Sequence, residues 1–288
     1  MRKIYYTLTA LTLSLTSCND LLDRMPDNRL VIDSPEKVQQ ALTNAYPQIA
    51  TTLINEFSSD NIDDIGADNI YSNFLTRETA YWQPILEYNN VDGLQNIWDY
   101  HYKAIGQANA ALDAIETTLH NDASLNPAKG EALVARAYAH FCLVNLFSQA
   151  YNPNTSSSDL GIPYITRPEE EMNPQRQRGT VAQVYQQIAA DLEKGLPLID
   201  DSYYQMPKYH FNKKAAYAFA ARFYLYYQQW QKALDAANVV LTTNDATTKN
   251  LVREWLDFRD AQKTGTRSIT AYAQAYARES EVANLMLQ

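Results

Sequence analysis

The sequence predicts a mostly α-helical protein built from stacked helix pairs that are joined by long loops. Apolar residues recur at helical spacing along several segments of the 288-residue chain, whereas the period-two alternation typical of strands is scarce. The chain holds 21 Tyr and 4 Trp against only 8 Gly. Many aromatic residues and few glycines suit packed helices, and they can also offer stacking surfaces.

The first 17 residues have the parts of a secretory signal peptide. Arg2 and Lys3 give a positive start, an apolar stretch runs from Ile4 to Leu15, and small residues precede Cys18. The apolar stretch has about 12 residues, too few for a bilayer that needs about 20. Leu-Thr-Ser-Cys resembles the bacterial lipobox, so we expect removal of residues 1–17 and acylation of Cys18. The alternative is a chance Cys after an ordinary signal peptide.

The remaining chain is predicted to be a tether over residues 18–32 and a helical-repeat domain over residues 33–288. A net charge of −9 and a pI near 5.0 argue against binding to nucleic acid or to an anionic membrane surface. If Cys18 carries lipid, Cys142 has no partner for an internal disulfide. Cys142 stands in an apolar stretch and is predicted to act as a small core residue.

Capping signals and apolar periodicity predict four helices before the last third of the chain. The third of them is apolar around most of its circumference, so we expect it to be central and buried. Loops rich in Pro, Ser, Asn or Asp separate the helices, and one of them is an acidic loop from Phe57 to Tyr81. The predicted helices begin at Asp33-Ser34-Pro35, run from about Val91 to Leu119, open at Asn126-Pro127, and extend from Thr180 with Gln183 to Gly195.

The segment from Lys213 to Leu241 predicts an antiparallel helix pair of the tetratricopeptide type. Asn212 can cap its first helix, and Trp230 follows a short polar bend before the second. Small residues allow two helices to cross closely, while aromatic side chains fill the gaps. Such a pair buries its faces against neighbouring pairs, so several pairs are expected to stack. The apolar positions are Tyr217, Ala220, Ala221 and Tyr224 in the first helix and Ala233, Ala237 and Val240 in the second.

Seven segments, in order and spacing, resemble the SusD/RagB family of bacterial outer-membrane nutrient-binding lipoproteins. They cover nearly the whole chain, and their order is more specific than any one of them. They are CNDLLD at Cys18 with Pro26, SPEKVQQALTNAY at Ser34, SSDNIDD at Ser58, IWDYHYKAIGQANAALDAI at Ile97, EALVARAYAHFCLVNLFS at Glu131, TVAQVYQQIAADLEKGLPLI at Thr180, and the Lys213–Leu241 pair.

This resemblance implies a lipid-anchored binding protein on the outer face of the outer membrane. Members of the family cap a SusC-like TonB-dependent transporter and deliver oligosaccharides or peptides to it, without a cofactor. Asp20 and Asp23 loosely resemble the surface-export signals of such lipoproteins, although solvated aspartates are an equal alternative. Family members usually continue for about as many residues again, so the resemblance implies a truncated chain.

Enzyme chemistry has weak support in the sequence. The HExxH, GxSxG, P-loop and GxGxxG motifs are absent, and His101 and His140 stand on aromatic-rich helices where packed or surface histidines are expected. Asp60, Asp63 and Asp64 could supply a pair of glycosidase carboxylates, but a turn-forming acidic loop is the better interpretation. The expected protein is therefore a receptor and not an enzyme.

The acidic loop also raises the question of a calcium site at Asp60, Asp64 and Asp68. An EF-hand is excluded, because Ile62 falls where an oxygen ligand is needed and Tyr71 falls where the final Glu is needed. An irregular calcium site stays open, and no metal ligands are assigned.

The segment RETAYWQP supplies the candidate ligand-binding residues Arg77, Tyr81 and Trp82. Aromatic rings stack on the apolar face of a sugar, and Arg can donate hydrogen bonds to its hydroxyls. Pro84 breaks a helix there, which favours an exposed loop. The alternative places Trp82 in the core of a helix pair.

Three functions follow from these patterns. The first is capture of an extracellular nutrient, most often a glycan, for a transporter partner. A helical-repeat lipoprotein that serves only as an assembly scaffold is the second. A carboxylate-dependent glycoside hydrolase is the third.

Overall fold

The computed structural model describes residues 31–62, 66, 74–86, 90–169 and 176–241. Within these ranges the chain forms eight α-helices and no strand, which confirms the predicted mostly α-helical class. The predicted signal peptide, Cys18 and all but the end of the tether lie outside the described residues. The helices are α1 Pro35–Thr43, α2 Thr52–Phe57, α3 Phe74–Ala80, α4 Leu94–Asp113, α5 Asn126–Phe147, α6 Val181–Gly195, α7 Lys213–Tyr226 and α8 Trp230–Val240.

The predicted capping residues start three of these helices. The Ser34 hydroxyl accepts the Lys37 N–H at the start of α1, and Pro35 takes the first helical position. Thr180 and Gln183 form both halves of a capping box at α6, and the Asn212 side chain accepts the Ala215 N–H at α7. These caps satisfy N–H groups that have no partner within the helix.

Helix α5 is the centre of the fold, as its apolar circumference predicts. Fourteen of its 22 residues are buried, and it packs against both α4 and α6. Gly130 of α5 and Gly195 of α6 make the closest approach. A Cβ atom on Gly130 would lie 2.8 Å from the Gly195 carbonyl oxygen and 2.9 Å from the Leu198 Cβ atom. Only glycine permits this separation.

An extended segment over residues 160–167 lies against α4, α5 and α6 and is held by their side chains. Tyr102 donates to the Pro163 carbonyl (2.7 Å), and Asn109 donates to the Ile165 carbonyl (3.1 Å). The His140 ring accepts the Ile165 N–H (3.1 Å). Buried main-chain groups need such partners, and here side chains from the helices provide them in place of a strand.

A buried ion pair underlies the same segment. Arg136 donates to both oxygens of Asp191, at 2.7 and 2.6 Å. The guanidinium also reaches Asn109 (2.9 Å) and the Thr166 carbonyl (3.1 Å), and Tyr164 donates to Asp191 (2.6 Å). These hydrogen bonds compensate for the desolvation of the two buried charges. Loss of one member of such a pair typically costs about 3–5 kcal/mol, because the other charge is left buried without its partner.

A second buried cluster ties the residues that follow α1 and those that precede α7 to the central helix α5. Glu131, fully buried on α5, accepts hydrogen bonds from the Tyr46 hydroxyl (2.5 Å) and the His210 Nδ1 atom (2.8 Å). The Tyr46 oxygen in turn accepts the Phe211 N–H (2.7 Å). Burial, followed by the charge of Glu131, raises the pKa of Tyr46 well above its ordinary value.

The predicted pair of α7 and α8 is confirmed, although its second helix is less buried than predicted. Gln228 takes the left-handed conformation (φ 60°) at the turn, and the N–H groups of residues 228 and 229 bond back to the carbonyls of residues 225 and 224. On α8 only Ala236 is buried, while the predicted lining residues Ala233, Ala237 and Val240 are half-buried. Trp230 and Leu234 are exposed, so one side of the pair is open within the described residues.

The predicted loop from Phe57 to Tyr81 is wrong in part, because α3 occupies residues 74–80. The acidic and Asn-rich residues before it suggested irregular structure throughout. The helix gains its stability from tertiary packing, since Leu75 lies in a small cluster with Ile54 of α2 and Ile97 of α4. We call these three residues and their half-buried neighbours the satellite cluster.

Two further features complete the fold. Cys142 is a free thiol that is half-buried, less enclosed than predicted, and burial raises its pKa to about 11. Among the described helices, none has both the length and the apolar composition that a membrane crossing requires.

Candidate functional site

Helix α3 presents one side to the satellite cluster and the other to solvent. Leu75 and Thr79 are buried on the inner side, together with most of the Glu78 side chain. Phe74, Arg77 and Tyr81 follow one another at helical spacing and are exposed. The inner contacts therefore fix which side chains face outward.

The chain leaves α3 through a tight C-terminal turn in which Trp82 is left-handed, with φ 53°. The Gln83 N–H bonds to the Glu78 carbonyl (2.8 Å) and the Trp82 N–H to the Thr79 carbonyl (3.1 Å). This is the Schellman pattern, whose left-handed residue is usually glycine. A non-glycine residue there costs about 1–2 kcal/mol.

The Glu78 carboxylate holds the following segment, residues 81–86, against α3. Its Oε2 atom accepts the Leu86 N–H at 2.8 Å, eight residues further along the chain. Ile85, next to Leu86, is half-buried against the satellite cluster. Residues 81–86 therefore return to α3 and leave Trp82 at the outside of the turn.

The outer surface of α3 and its turn forms an aromatic platform, which we define as Phe74, Arg77, Tyr81 and Trp82. The exposed fractions are 62% for Phe74, 55% for Tyr81 and 79% for Trp82. The Arg77 guanidinium carbon lies 4.8 Å from the centroid of the Phe74 ring, a cation–π distance. Flat apolar rings beside a donor of several hydrogen bonds can bind a ring that has an apolar face and a hydroxyl edge.

The structure exposes all three sequence-predicted residues, Arg77 on α3 and Tyr81 and Trp82 on the turn that follows it. Trp82 is 79% exposed, so the alternative that it fills the core of a helix pair is wrong. Phe74 was missed because residues 57–81 were interpreted as a loop. The spacing of residues 74, 77 and 81, which places one side chain per helical turn on a single face, is the signal that could have identified it.

The other candidate residues have a different outcome. His101 and His140 are buried, as expected for packed histidines, and burial lowers the pKa of both. Asp60 is exposed, whereas Asp63, Asp64 and Asp68 lie outside the described residues, so the carboxylate pair and the calcium site stay untested. Within the described part of the chain, no group of three or more His, Cys, Asp or Glu side chains is arranged to hold a metal ion.

Comparison with known proteins gives one sequence relative and several solved structures with a similar fold. A SusD-like protein, P2, from Formosa agariphila is 24% identical over 283 residues, covering 92% of this chain and 51% of the relative. A SusD superfamily structure from Bacteroides thetaiotaomicron is 25% identical with a TM-score of 0.57, over 78% of this chain and 49% of that one. A structure of a laminarin-binding SusD-like protein is 19% identical with a TM-score of 0.54, over 72% and 43% of the two chains.

These relatives are longer proteins, and the chain spans about half the length of each of the first two. A SusD-like family model, described as starch-binding and associating with the outer membrane, matches residues 20–225. That match covers most of the chain, from near the predicted lipid-bearing Cys through α7. The order of helices, the buried α5 and the family match agree, and the chain belongs to the SusD-like family.

Proposed function

We propose that this protein binds a glycan outside the cell through the aromatic platform and delivers it to a transporter. The observation that carries the proposal is Trp82, a large aromatic side chain that is 79% exposed while its backbone is held in the left-handed region. Exposure of an indole and a strained backbone both cost free energy, and such costs are typically retained where a side chain has a function.

The comparisons support a carbohydrate as the ligand. The family is described as starch-binding, and one structural relative is a laminarin-binding protein. Both polymers expose sugar faces that stack on aromatic rings. The platform, with three exposed rings and one guanidinium, has the chemistry for a neutral oligosaccharide. The buried Leu75 and the half-buried Ile85 pack in the satellite cluster and so hold the helix and the turn that carry the platform.

We propose outer-membrane attachment through acyl chains, such as palmitate, on Cys18. The family description places its members at the outer membrane, and two or more chains on one residue give stable anchoring. Labelled palmitate should enter the protein in cells and be lost on Cys18→Ala. An unlabelled wild-type protein would contradict the anchor.

The partner in this proposal is a SusC-like TonB-dependent transporter. The resemblance supplies this partner, and capture followed by hand-over requires no bond to be made or broken. A transporter partner should co-purify with the tagged full chain from outer membranes solubilised in mild detergent. Recovery of the lipoprotein without a β-barrel transporter would count against it.

The binding experiment compares two exposed tryptophans. Maltoheptaose and laminariheptaose are titrated into wild type, Trp82→Ala and Trp230→Ala by calorimetry. Trp82→Ala should weaken binding about tenfold or more, equivalent to about 1.4 kcal/mol. Trp230→Ala is the matched control, since Trp230 is 62% exposed on α8 and outside the platform. Equal affinity of all three proteins would reject the platform.

The same samples separate the alternatives. A hydrolase would release reducing sugars from either oligosaccharide, whereas a receptor leaves them intact. The scaffold function depends on a different surface, the open side of α8 with Trp230 and Leu234. A scaffold would bind neither sugar, and Trp230→Ala, not Trp82→Ala, would reduce its protein associations.

A further inference from the structure

We propose that Glu78 is a positioning residue that fixes Trp82 in its ligand-binding orientation. This inference rests on the proposed function of the platform. Glu78 faces inward from α3 and does not belong to the platform, and it controls the turn that carries the indole.

The geometry assigns two contacts to this one residue. The Glu78 main-chain carbonyl accepts the Gln83 N–H, and its side-chain Oε2 atom accepts the Leu86 N–H, both at 2.8 Å. One contact is directly after Trp82 and the other is at the end of the segment. Together they clamp residues 82–86 against α3.

The burial of Glu78 indicates that this contact has a specific role. The residue is only 8% exposed, and Leu75, three positions earlier on α3, belongs to the apolar satellite cluster. Burying a carboxylate is costly unless it is hydrogen-bonded. An apolar side chain would be easier to accommodate there, but it could not accept the Leu86 N–H. Position 78 therefore requires a side chain that is long enough to place an acceptor oxygen beside the Leu86 N–H.

Clamping the segment reduces the entropy that Trp82 loses when a ligand binds. An unclamped turn would sample several backbone conformations, and ordering it on binding would cost conformational entropy. Pre-organisation removes that cost from the binding free energy. Loss of the clamp should consequently weaken binding even though no ligand contact is deleted.

Two conservative variants show whether the length or the charge of the Glu78 side chain is needed. Glu78→Gln keeps the length of the side chain and an acceptor oxygen but removes the charge. Glu78→Asp keeps the charge but shortens the side chain, so that its oxygens cannot reach the Leu86 N–H. We expect Gln to preserve glycan affinity within twofold and Asp to weaken it about fivefold or more. The proposal would be overturned if glycan affinity depended on the charge at position 78, so that Glu78→Asp bound normally and Glu78→Gln bound weakly.

A second measurement does not depend on any ligand. Each protein is labelled with 5-fluorotryptophan, and the Trp82 resonance is assigned by its loss in Trp82→Phe. The fluorine resonance should be shifted or broadened in Glu78→Asp and unchanged in Glu78→Gln, and the Leu86 amide should exchange faster only in the Asp variant. An unchanged resonance and amide in Glu78→Asp would overturn the clamp.

The two measurements also separate this inference from the proposed function. If wild type binds neither maltoheptaose nor laminariheptaose, the receptor function fails for those sugars, while the fluorine spectra still decide the role of Glu78. If glycan binding holds and the spectra of both variants match wild type, Glu78 is rejected and the platform stands. Urea unfolding of each variant serves as the control for global loss of structure.

Discussion

At the scale of the residue, His140 is the clearest case of a polar side chain recruited into the core. Its Nδ1 atom lies 2.9 Å from the Arg136 carbonyl and its Nε2 atom accepts the Ile165 N–H, so these bonds assign the neutral tautomer with the proton on Nδ1. The ring stacks on Tyr164 with centroids 3.8 Å apart. Burial, more than the nearby Arg136 charge, lowers the pKa of His140 to about 3.

This lowered pKa predicts a loss of stability in mild acid. Between the folded pKa near 3 and an unfolded pKa of about 6.5, the unfolded chain binds a proton that the native state excludes, so the free energy of unfolding falls as pH falls. His140 should account for a loss of about 2 kcal/mol between pH 7.5 and pH 5.

Urea unfolding at the two pH values measures the effect. His140→Gln, which cannot titrate, should show a smaller difference between pH 7.5 and pH 5 than wild type. The residual slope belongs to other groups, including His101, whose pKa is lowered in the same direction. An identical pH dependence in wild type and His140→Gln would contradict the prediction.

At the scale of the element, the crossing of α5 and α6 depends on two glycines. The two helices are closest at Gly130 and Gly195. A Cβ atom on Gly130 would lie 2.8 Å from the Gly195 carbonyl oxygen, and one on Gly195 would lie 2.9 Å from the Gly130 carbonyl oxygen. Main-chain atoms cannot rotate away, so a larger residue must separate the helices. The separation would also disturb Arg136 and Asp191, which join the same pair of helices.

We predict opposite effects for two Gly→Ala substitutions in helices. Gly130→Ala should destabilise the protein by about 1–3 kcal/mol through overpacking. Gly106→Ala on α4 is the matched control, because nothing lies within 4 Å of the point that its new methyl group would occupy, and it should stabilise by about 0.5–1 kcal/mol. Urea midpoints for both variants give the measurement, and a neutral Gly130→Ala would mean that the crossing can relax.

At the scale of the whole molecule, the described residues contain two unequal apolar clusters. The main cluster joins α1, α4, α5, α6, α7 and α8 and includes nearly all of the buried apolar side chains. The satellite cluster has only Ile54, Leu75 and Ile97 as fully buried apolar residues, and it supports the short helices α2 and α3. The platform therefore stands on the less extensively packed part of the protein.

This inequality predicts uneven protection from hydrogen exchange. Amides of α2 and α3 should exchange faster than those of α5 and α6, since local opening exposes less apolar surface there. A bound oligosaccharide should slow exchange at α3 and the 81–86 segment while α5 stays unchanged. Mass-spectrometric exchange at peptide resolution makes the comparison, and uniform protection before ligand addition would show that the two clusters open together.

Much of the fold is determined locally and was predictable. The capping side chains of Ser34, Thr180 and Asn212 act within three residues of their own position, so the sequence identifies where those helices begin. The apolar circumference of α5 likewise identifies a central helix without knowledge of its neighbours. Arg77, Tyr81 and Trp82 could be selected because an aromatic-rich segment before Pro84 suggests an exposed surface.

The remaining features depend on contacts between distant residues. Helix α3 is short, and its formation requires Leu75 to meet Ile54 and Ile97. The 160–167 segment takes its path from side chains on three helices, and the Glu78–Leu86 contact exists only once the chain has turned back. The sequence by itself determined six of the eight described helices, their order and the family resemblance, because those signals are local or additive along the chain. Tertiary structure alone decided which face of α3 is open and how Trp82 is held, because burial is a property of the assembled fold.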